Sequence, residues 1–362
     1  MSNFRTIGLR VALACATTLA AFAGPVAAQD FSGKNIEWTI PFGVGGGTDV
    51  WARFFAPQFS QALPGQPNVV VLNVPGGGSI TGANQFATRA KSDGFDILGT
   101  SASTQFPAIL GDARVRYDYA KWTAVLASPT GGVVYVAPDV GASGPADIET
   151  LRSKEIRFAA QSATGLEMPV LLAFEMLGLN IRPVFGMESR GAGRLAFERG
   201  EAGIDFQTTP AYLSSVAPLV DSGKAVPLFA LGVVNADGSV SRDPSFPDLP
   251  TFVEFYQDAT GAAPEGEAFQ AWKSLMLAGF SLQKMVVVPR DAPADIIGAY
   301  NAAAQTIVDA PDFRERAGDE LGVYTQLVGA DADAALTEAL KIDPSVKDYL
   351  TNWLKQEFNV SL

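Results

Sequence analysis

Two kinds of segment alternate along this chain. Short apolar runs occupy residues 36–42, 68–74, 95–99, 122–127, 133–137, 156–160, 182–185, 203–207, 226–232 and 285–288. Runs of this length, set between Gly, Pro and hydroxyl residues, predict buried strands. The stretches between them are longer, and their apolar residues recur at helical spacing. Residues 48–63 carry Trp51, Phe54, Phe55, Phe59 and Leu63 on one face, which predicts an amphipathic helix that Pro64-Gly65 stops. Helices are also predicted over 80–91 and 147–154, up to Leu177 with Gly178 as its cap, after 190, after 208, and from Pro293 to the C-terminus. Strands alternating with helices predict an α/β fold with mostly parallel sheets. Consecutive strands around 129–132 and the strand 226–232 are expected to cross between two lobes. Residues 29–131 and 233–362 then make lobe 1 and residues 132–232 make lobe 2. Each lobe is expected to be a mostly parallel sheet flanked by helices, with a ligand cleft between them.

Chemistry concentrates in the loops that leave the strands. After the first strand come Gly43, Gly45, Gly46 and Gly47, then Thr48 and Asp49, both helix-start residue types. A strand, a glycine turn and a helix start leave backbone N–H groups facing open space at the positive end of a helix dipole. That is an anion site. The pattern returns at Pro75-Gly76-Gly77-Gly78-Ser79, and the third strand runs into Thr100-Ser101-Ala102-Ser103-Thr104. One glycine is enough for a turn; consecutive glycines let a backbone approach a ligand. In open α/β sheets, ligands sit off the carboxyl ends of the strands. The candidate ligand-binding residues of the first lobe are therefore Phe42, Gly45, Gly46, Gly47, Thr48 and Asp49, with Gly77, Gly78, Ser79, Ser101 and Thr104. Those of the second lobe are Gln161, Ser162, Thr164 and Gly165, then Arg190, Gly191, Asp205 and Gln207. Simpler roles stand beside several of these: Ser101 as a helix cap, Arg190 in a salt bridge, Asp205 capping a buried loop, Phe42 in the core and Asp49 as a structural helix-start residue.

Composition narrows the classes. The first residues combine Arg5 and Arg10 with an apolar stretch over 11–23 and the small residues Val26-Ala27-Ala28. This predicts a signal peptide cleaved after Ala28. Cys15, the only cysteine, lies inside it, so the mature chain is expected to lack disulfides and thiolate chemistry. Removing residues 1–28 takes away two positive charges and no negative ones, moving the formal net charge from −12 to −14. That argues against nucleic acid as a partner. The chain has no histidine, which removes Ser-His-Asp and Cys-His catalysis and HExxH zinc sites. No Walker P-loop or GxSxG occurs, and Thr48 and Thr81 stand where a GxGxxG would end in glycine. Ser281-Leu282-Gln283-Lys284 fits SxxK, but SDN and KTG are absent. No catalytic residue, metal site or cofactor is expected.

Several motifs, in order, resemble one family. Pro41 through Gly45-Gly46-Gly47-Thr48-Asp49 with Ala52-Arg53, then Asn73-Val74-Pro75-Gly76-Gly77-Gly78 with Gly82-Ala83, resemble signatures of the periplasmic solute-binding proteins of tripartite tricarboxylate transporters, the Bug or TctC-like family. Asp93-Gly94-Phe95 with Leu98-Gly99-Thr100, residues 158–165, Gly191-Ala192-Gly193 through Asp205, Asp248-Leu249-Pro250-Thr251 and Pro289 with Pro293 are similar to further landmarks of that family. The chain departs from the pattern at Gln161, Ala163, residues 188–190 and the long stretch 257–284. The resemblance implies a type II-like periplasmic binding fold that closes on a small carboxylate, either a di- or tricarboxylate or an aromatic acid. Backbone amides of the Gly45–Thr48 and Gly77–Ser79 loops would hold the carboxylate. It also implies a periplasmic monomer that delivers its ligand to transporter membrane subunits and is not an enzyme. The alternatives are a ligand-binding module for a sensor kinase and a secreted hydrolase without histidine.

Overall fold

The structure is a computed structural model and describes residues 29–362 apart from Ala236. The expected signal peptide and Cys15 lie outside the described residues. Among the described residues no helix is long and apolar enough to cross a membrane.

Among the described residues, thirteen strands form two large sheets and a small ribbon. The first sheet contains β1 (Asn35–Ile40), β2 (Asn68–Asn73), β3 (Asp96–Ser101) and β4 (Trp122–Ser128). The second contains β5 (Gly132–Val136), β6 (Ile156–Ala159), β7 (Ile181–Val184), β8 (Ile204–Thr208) and β9 (Val226–Ala230). β10 (Val233–Val234) and β11 (Val240–Ser241) pair with each other, and β12 (Lys284–Pro289) and β13 (Leu327–Val328) return to the first sheet. The orders are β13-β4-β12-β3-β1-β2 and β7-β6-β8-β5-β9. Burial matches position: every residue of the interior strands β4 and β5 is buried, whereas β2, on an edge, has none.

The sheets are mixed, which sharpens the expectation of mostly parallel ones. β1 pairs in parallel with β2 and β3, and β6 with β7 and β8. One reversed strand sits inside each sheet: β12 runs antiparallel to β3 and β4, and β5 antiparallel to β8 and β9. These reversals follow from topology. β5 enters from the other lobe directly after β4, across Pro129-Thr130-Gly131, with no crossover helix to restore its direction.

The core of the first lobe lies under the helix Gly47–Ala62. Its Trp51 meets Trp38 of β1 edge-on at 5.4 Å, and Phe55 and Phe59 extend the cluster to Tyr300 of the helix Ala294–Val308. The Tyr300 hydroxyl donates to the Gly94 carbonyl at 2.6 Å, satisfying its buried polar end.

The helices Phe252–Thr260, Gly266–Gly279 and Pro344–Phe358 pack across both lobes, sharing one cluster with Ala102, Phe106 and Leu110 of the first. They bury Phe252, Trp272, Leu350 and Trp353 in the core formed by Val134, Phe158, Leu172 and Phe174 of the second lobe. The Trp353 indole N–H donates to Glu175, tying the last helix to Met168–Met176.

The Thr251 landmark has a local cause. Its hydroxyl accepts from Glu254 N at 3.0 Å, and the Glu254 carboxylate accepts from Thr251 N at 2.7 Å. This is a reciprocal capping box. Thr251→Ala is expected to lower stability by about 1 kcal/mol, read from the urea midpoint at constant m-value.

Candidate functional site

The helix Gly47–Ala62 starts directly behind Gly46, with no side-chain cap. Val50 N donates to Gly46 O at 3.0 Å and Gly45 N to Asp49 Oδ2 at 2.9 Å. The N–H groups of Gly46, Gly47 and Thr48 have no acceptor among the described residues. From the opposite lobe comes the start of the helix Arg190–Glu198, capped by Ser189, whose Oγ accepts from Ala192 N at 3.1 Å. Both helix N-termini border one cavity, so two positive dipole ends face it from opposite lobes.

Phe42, Ser101, Ser103, Gln161, Leu166, Thr208 and Gln283 complete its wall. Among the described residues no carboxylate lines it. The cavity is nearly shut, with about 20 Å³ open to the centre of a water molecule, room for one or two waters. Two wider pockets flank it. One, of about 450 Å³ on the same measure, runs along Gly76–Ser79, Gln161–Thr164 and Phe185–Glu188. The other, of about 440 Å³, lies between Gly43–Gly45 and Glu188–Leu195.

The lobes touch through their loops. Gly43 N donates to the Glu188 carbonyl at 3.1 Å. A methyl group at Gly46 would lie 2.9 Å from Ser189 Cβ, one at Gly47 2.8 Å from Thr208 Oγ1, and one at Gly78 2.9 Å from Ser162 Cβ. The missing side chains at these three glycines make room for the other lobe. Gly45 differs: its φ of +78° requires glycine, yet a methyl group there would meet nothing within 4 Å.

Of the residues expected to bind ligand, Phe42, Gly46, Gly47, Thr48, Ser101, Gln161 and Arg190 reach the central cavity. Gly77, Gly78, Ser79, Ser162 and Thr164 line the first flanking pocket, and Gly45 and Gly191 the second. Asp49, Thr104, Gly165, Asp205 and Gln207 line none of them. Asp49 is tied to Gly45 N and Arg53, the helix-start role. Thr104 is wholly buried and its carbonyl accepts from the Tyr117 hydroxyl at 2.6 Å. Gly165 packs against Ser103 Oγ and Glu167. Ser103, Leu166, Ser189, Thr208 and Gln283 border the cavity without having been expected there. Ser103, Leu166 and Ser189 sit beside expected residues in the sequence, and Thr208 directly follows a predicted strand.

Arg190 borders the cavity while its guanidinium is held by partners within the second lobe, Asp205 among them. It bonds Glu167, Asp205 and the carbonyls of Ala159 and Phe206. Asp205 also accepts from the Tyr135 hydroxyl at 2.5 Å and from Gln207 Nε2 at 3.0 Å. Burial pushes the guanidinium pKa down, but the Asp205 and Glu167 carboxylates outweigh it and hold it above its ordinary value. Burial and then Asp205 push Tyr135 well up. Glu167 passes this anchoring on to the Gln161 loop, accepting from Gln161 N at 2.9 Å. The Gln161 side chain, the hydroxyls of Thr48 and Thr208 and the free loop amides remain as donors toward the cavity.

No protein-family profile matches the chain. A UPF0065 protein of Bordetella pertussis is 30% identical over 234 residues, 63% of this chain and 67% of that protein. Protein BugT of the same organism is 40% identical over 84 residues, so the chain matches only a quarter of its length. Among solved structures, the periplasmic binding protein BugD aligns with a TM-score of 0.67 at 20% identity, over 90% of this chain and 98% of that one. MatC from Rhodopseudomonas palustris with bound malate aligns with a TM-score of 0.64 at 19% identity, over 89% of this chain and 98% of that one.

Proposed function

Because this chain belongs to the Bug/TctC family of periplasmic solute-binding proteins, we propose that it is a periplasmic receptor. It captures a small carboxylate between its lobes and delivers it to membrane transporter subunits. One observation carries the reading. Helix N-termini from both lobes meet at a single cavity lined by free N–H groups and hydroxyls and, among the described residues, by no carboxylate. Such a site favours an acceptor that takes several N–H bonds at once, which a carboxylate does. It needs no basic field, which fits a net charge of −12. The cleft works by closing on its ligand, and the reading assigns it no chemical step. Malate, the ligand of the MatC structure, is a natural first candidate.

Calorimetry against malate, citrate, adipate, benzoate and the corresponding amides tests this. At least one acid is expected to bind, and its amide to bind at least tenfold more weakly, the difference of about 1.4 kcal/mol that one charge-assisted hydrogen bond provides. Failure of every acid, or equal binding of acid and amide, would rule the reading out.

A further inference from the structure

We propose that Lys284 supplies the formal positive charge that holds the captured carboxylate, completing the anion site begun by Gly46, Gly47 and Thr48. This rests on the receptor reading and adds to it a charged binding residue that the glycine-loop geometry does not require.

Lys284 opens β12 and is 1% exposed. Among the described residues its ammonium makes no ion pair and no hydrogen bond, and such isolation is rare for a buried lysine. In the sheet it faces Ser101 of β3 and Ser128 of β4. A methyl group at Gly47 would lie 3.8 Å from Lys284 Nζ and 2.8 Å from Thr208 Oγ1. Gly47, Thr208 and the adjacent Gln283 all line the central cavity. The amine therefore sits beside the N-terminus of the helix Gly47–Ala62, where the backbone donors are free.

No neighbouring charge answers it. On that helix, Asp49 is taken by Arg53 and Gly45 N. On β3, Asp96 accepts from Lys91 N at the far end of the strand. On β8, Asp205 is held by Arg190, Tyr135 and Gln207. β4 and the rest of β12 carry no ionisable side chain. Burial alone lowers the Lys284 pKa to about 7.

A carboxylate on the Gly47 amide, with its second oxygen toward Nζ, would give the ammonium its missing partner. Thr208 of the second lobe and the Lys284 amine both approach the Gly47 position, so closure of the lobes and charge pairing would act at the same place. A fixed helix dipole attracts any acceptor; an ammonium adds selection for an ionised one.

Lys284→Met keeps the stem and removes the charge. The best-binding acid from the carboxylate panel is expected to bind this variant roughly 10- to 150-fold more weakly, the range for a hydrogen bond to a charged group. The ligand-free variant is expected to melt at the wild-type temperature or above, because an unpaired buried charge has been removed. Only the protonated amine pairs, so wild-type affinity should be full below the ligand-free pKa of Lys284. Above it, affinity should fall by up to tenfold per pH unit, while the variant stays flat. Wild-type affinity and an unchanged pH profile in the variant would overturn the inference. So would a variant that loses ligand-free stability together with affinity, since the lysine would then be structural. If the variant does not fold, the wild-type profile decides alone, and constant affinity from pH 6 to 10 rejects the role of Lys284. Wild-type protein that binds no acid rejects the receptor reading and this inference together. Acids that bind without dependence on Lys284 reject only the inference.

Discussion

Replacing Arg190 with methionine is expected to destabilise the protein by roughly 3–5 kcal/mol, the loss seen when one partner is removed from a buried ionic cluster. The guanidinium lies between the rings of Phe158 and Phe206, with centroids 5.1 and 5.9 Å away. All five of its N–H groups are used. Nε donates to Phe206 O, Nη1 to Ala159 O and Glu167, and Nη2 to Phe206 O and Asp205. Methionine would fill part of the space but leave two fully buried carboxylates with no counter-charge and two carbonyls without donors. A loss of this size is a large share of a typical domain's total stability. Urea unfolding measures it directly, and a destabilisation below about 1 kcal/mol would show that water or a backbone shift replaces the arginine. The cluster should also behave as a unit. Adding Glu167→Gln and Asp205→Asn to the methionine variant is expected to recover much of the loss, because the remaining groups no longer carry charge. Independent additive losses would mean the three side chains do not depend on one another.

How legible this site was in the sequence depended on whether a residue's role was local. The glycine loops were legible because a strand, a glycine turn and a helix start are neighbours in the chain. The start of Arg190–Glu198 is legible for the same reason. Apolar runs located the strands, but not their direction: β12 has the apolar character of a parallel strand and runs the other way. β13 was missed because two residues carry no alternation. Chain order puts the helices after residue 250 with the first lobe, and three of them also bury apolar residues against the second. Arg190, Asp205 and Gln207 show the limit most clearly. A polar residue flanked by apolar ones is either buried and paired or facing a cleft, and the partners that decide it, Glu167 and Tyr135, are distant in sequence. In the sequence Lys284 stands out only within Ser281-Leu282-Gln283-Lys284, an SxxK pattern. Its isolation depends on which residues pack around it, and no local pattern encodes that.

Gly46→Val is expected to push carboxylate binding out of the measurable range, a loss of more than about a hundredfold, or 2.8 kcal/mol, while leaving the ligand-free fold close to wild type. Gly46 has φ −78° and ψ 160°, an extended conformation that valine adopts readily. Its backbone therefore does not explain the glycine; its neighbour does. A Cβ at Gly46 would lie 2.9 Å from Ser189 Cβ of the opposite lobe, closer than two carbons pack at their optimum. Valine's two further methyl groups would wedge the lobes apart at the point where the two helix N-termini must converge. A ligand-free form with its lobes apart would lack this contact, so the melting temperature is expected to barely move. Two roles for the glycine can then be separated. If it admits the ligand to the loop amides, only the loop matters. If it admits Ser189 and so allows closure, trimming Ser189 should compensate. Gly46→Ala alone is expected to weaken binding about tenfold, placing one overpacked contact near the low end of the usual 1–3 kcal/mol. Adding Ser189→Gly is expected to restore most of that, at a cost of a few tenths of a kcal/mol for the weaker helix cap. Failure of the double variant to recover would return Gly46 to a ligand-approach role, and wild-type affinity in Gly46→Val would remove this loop from the site.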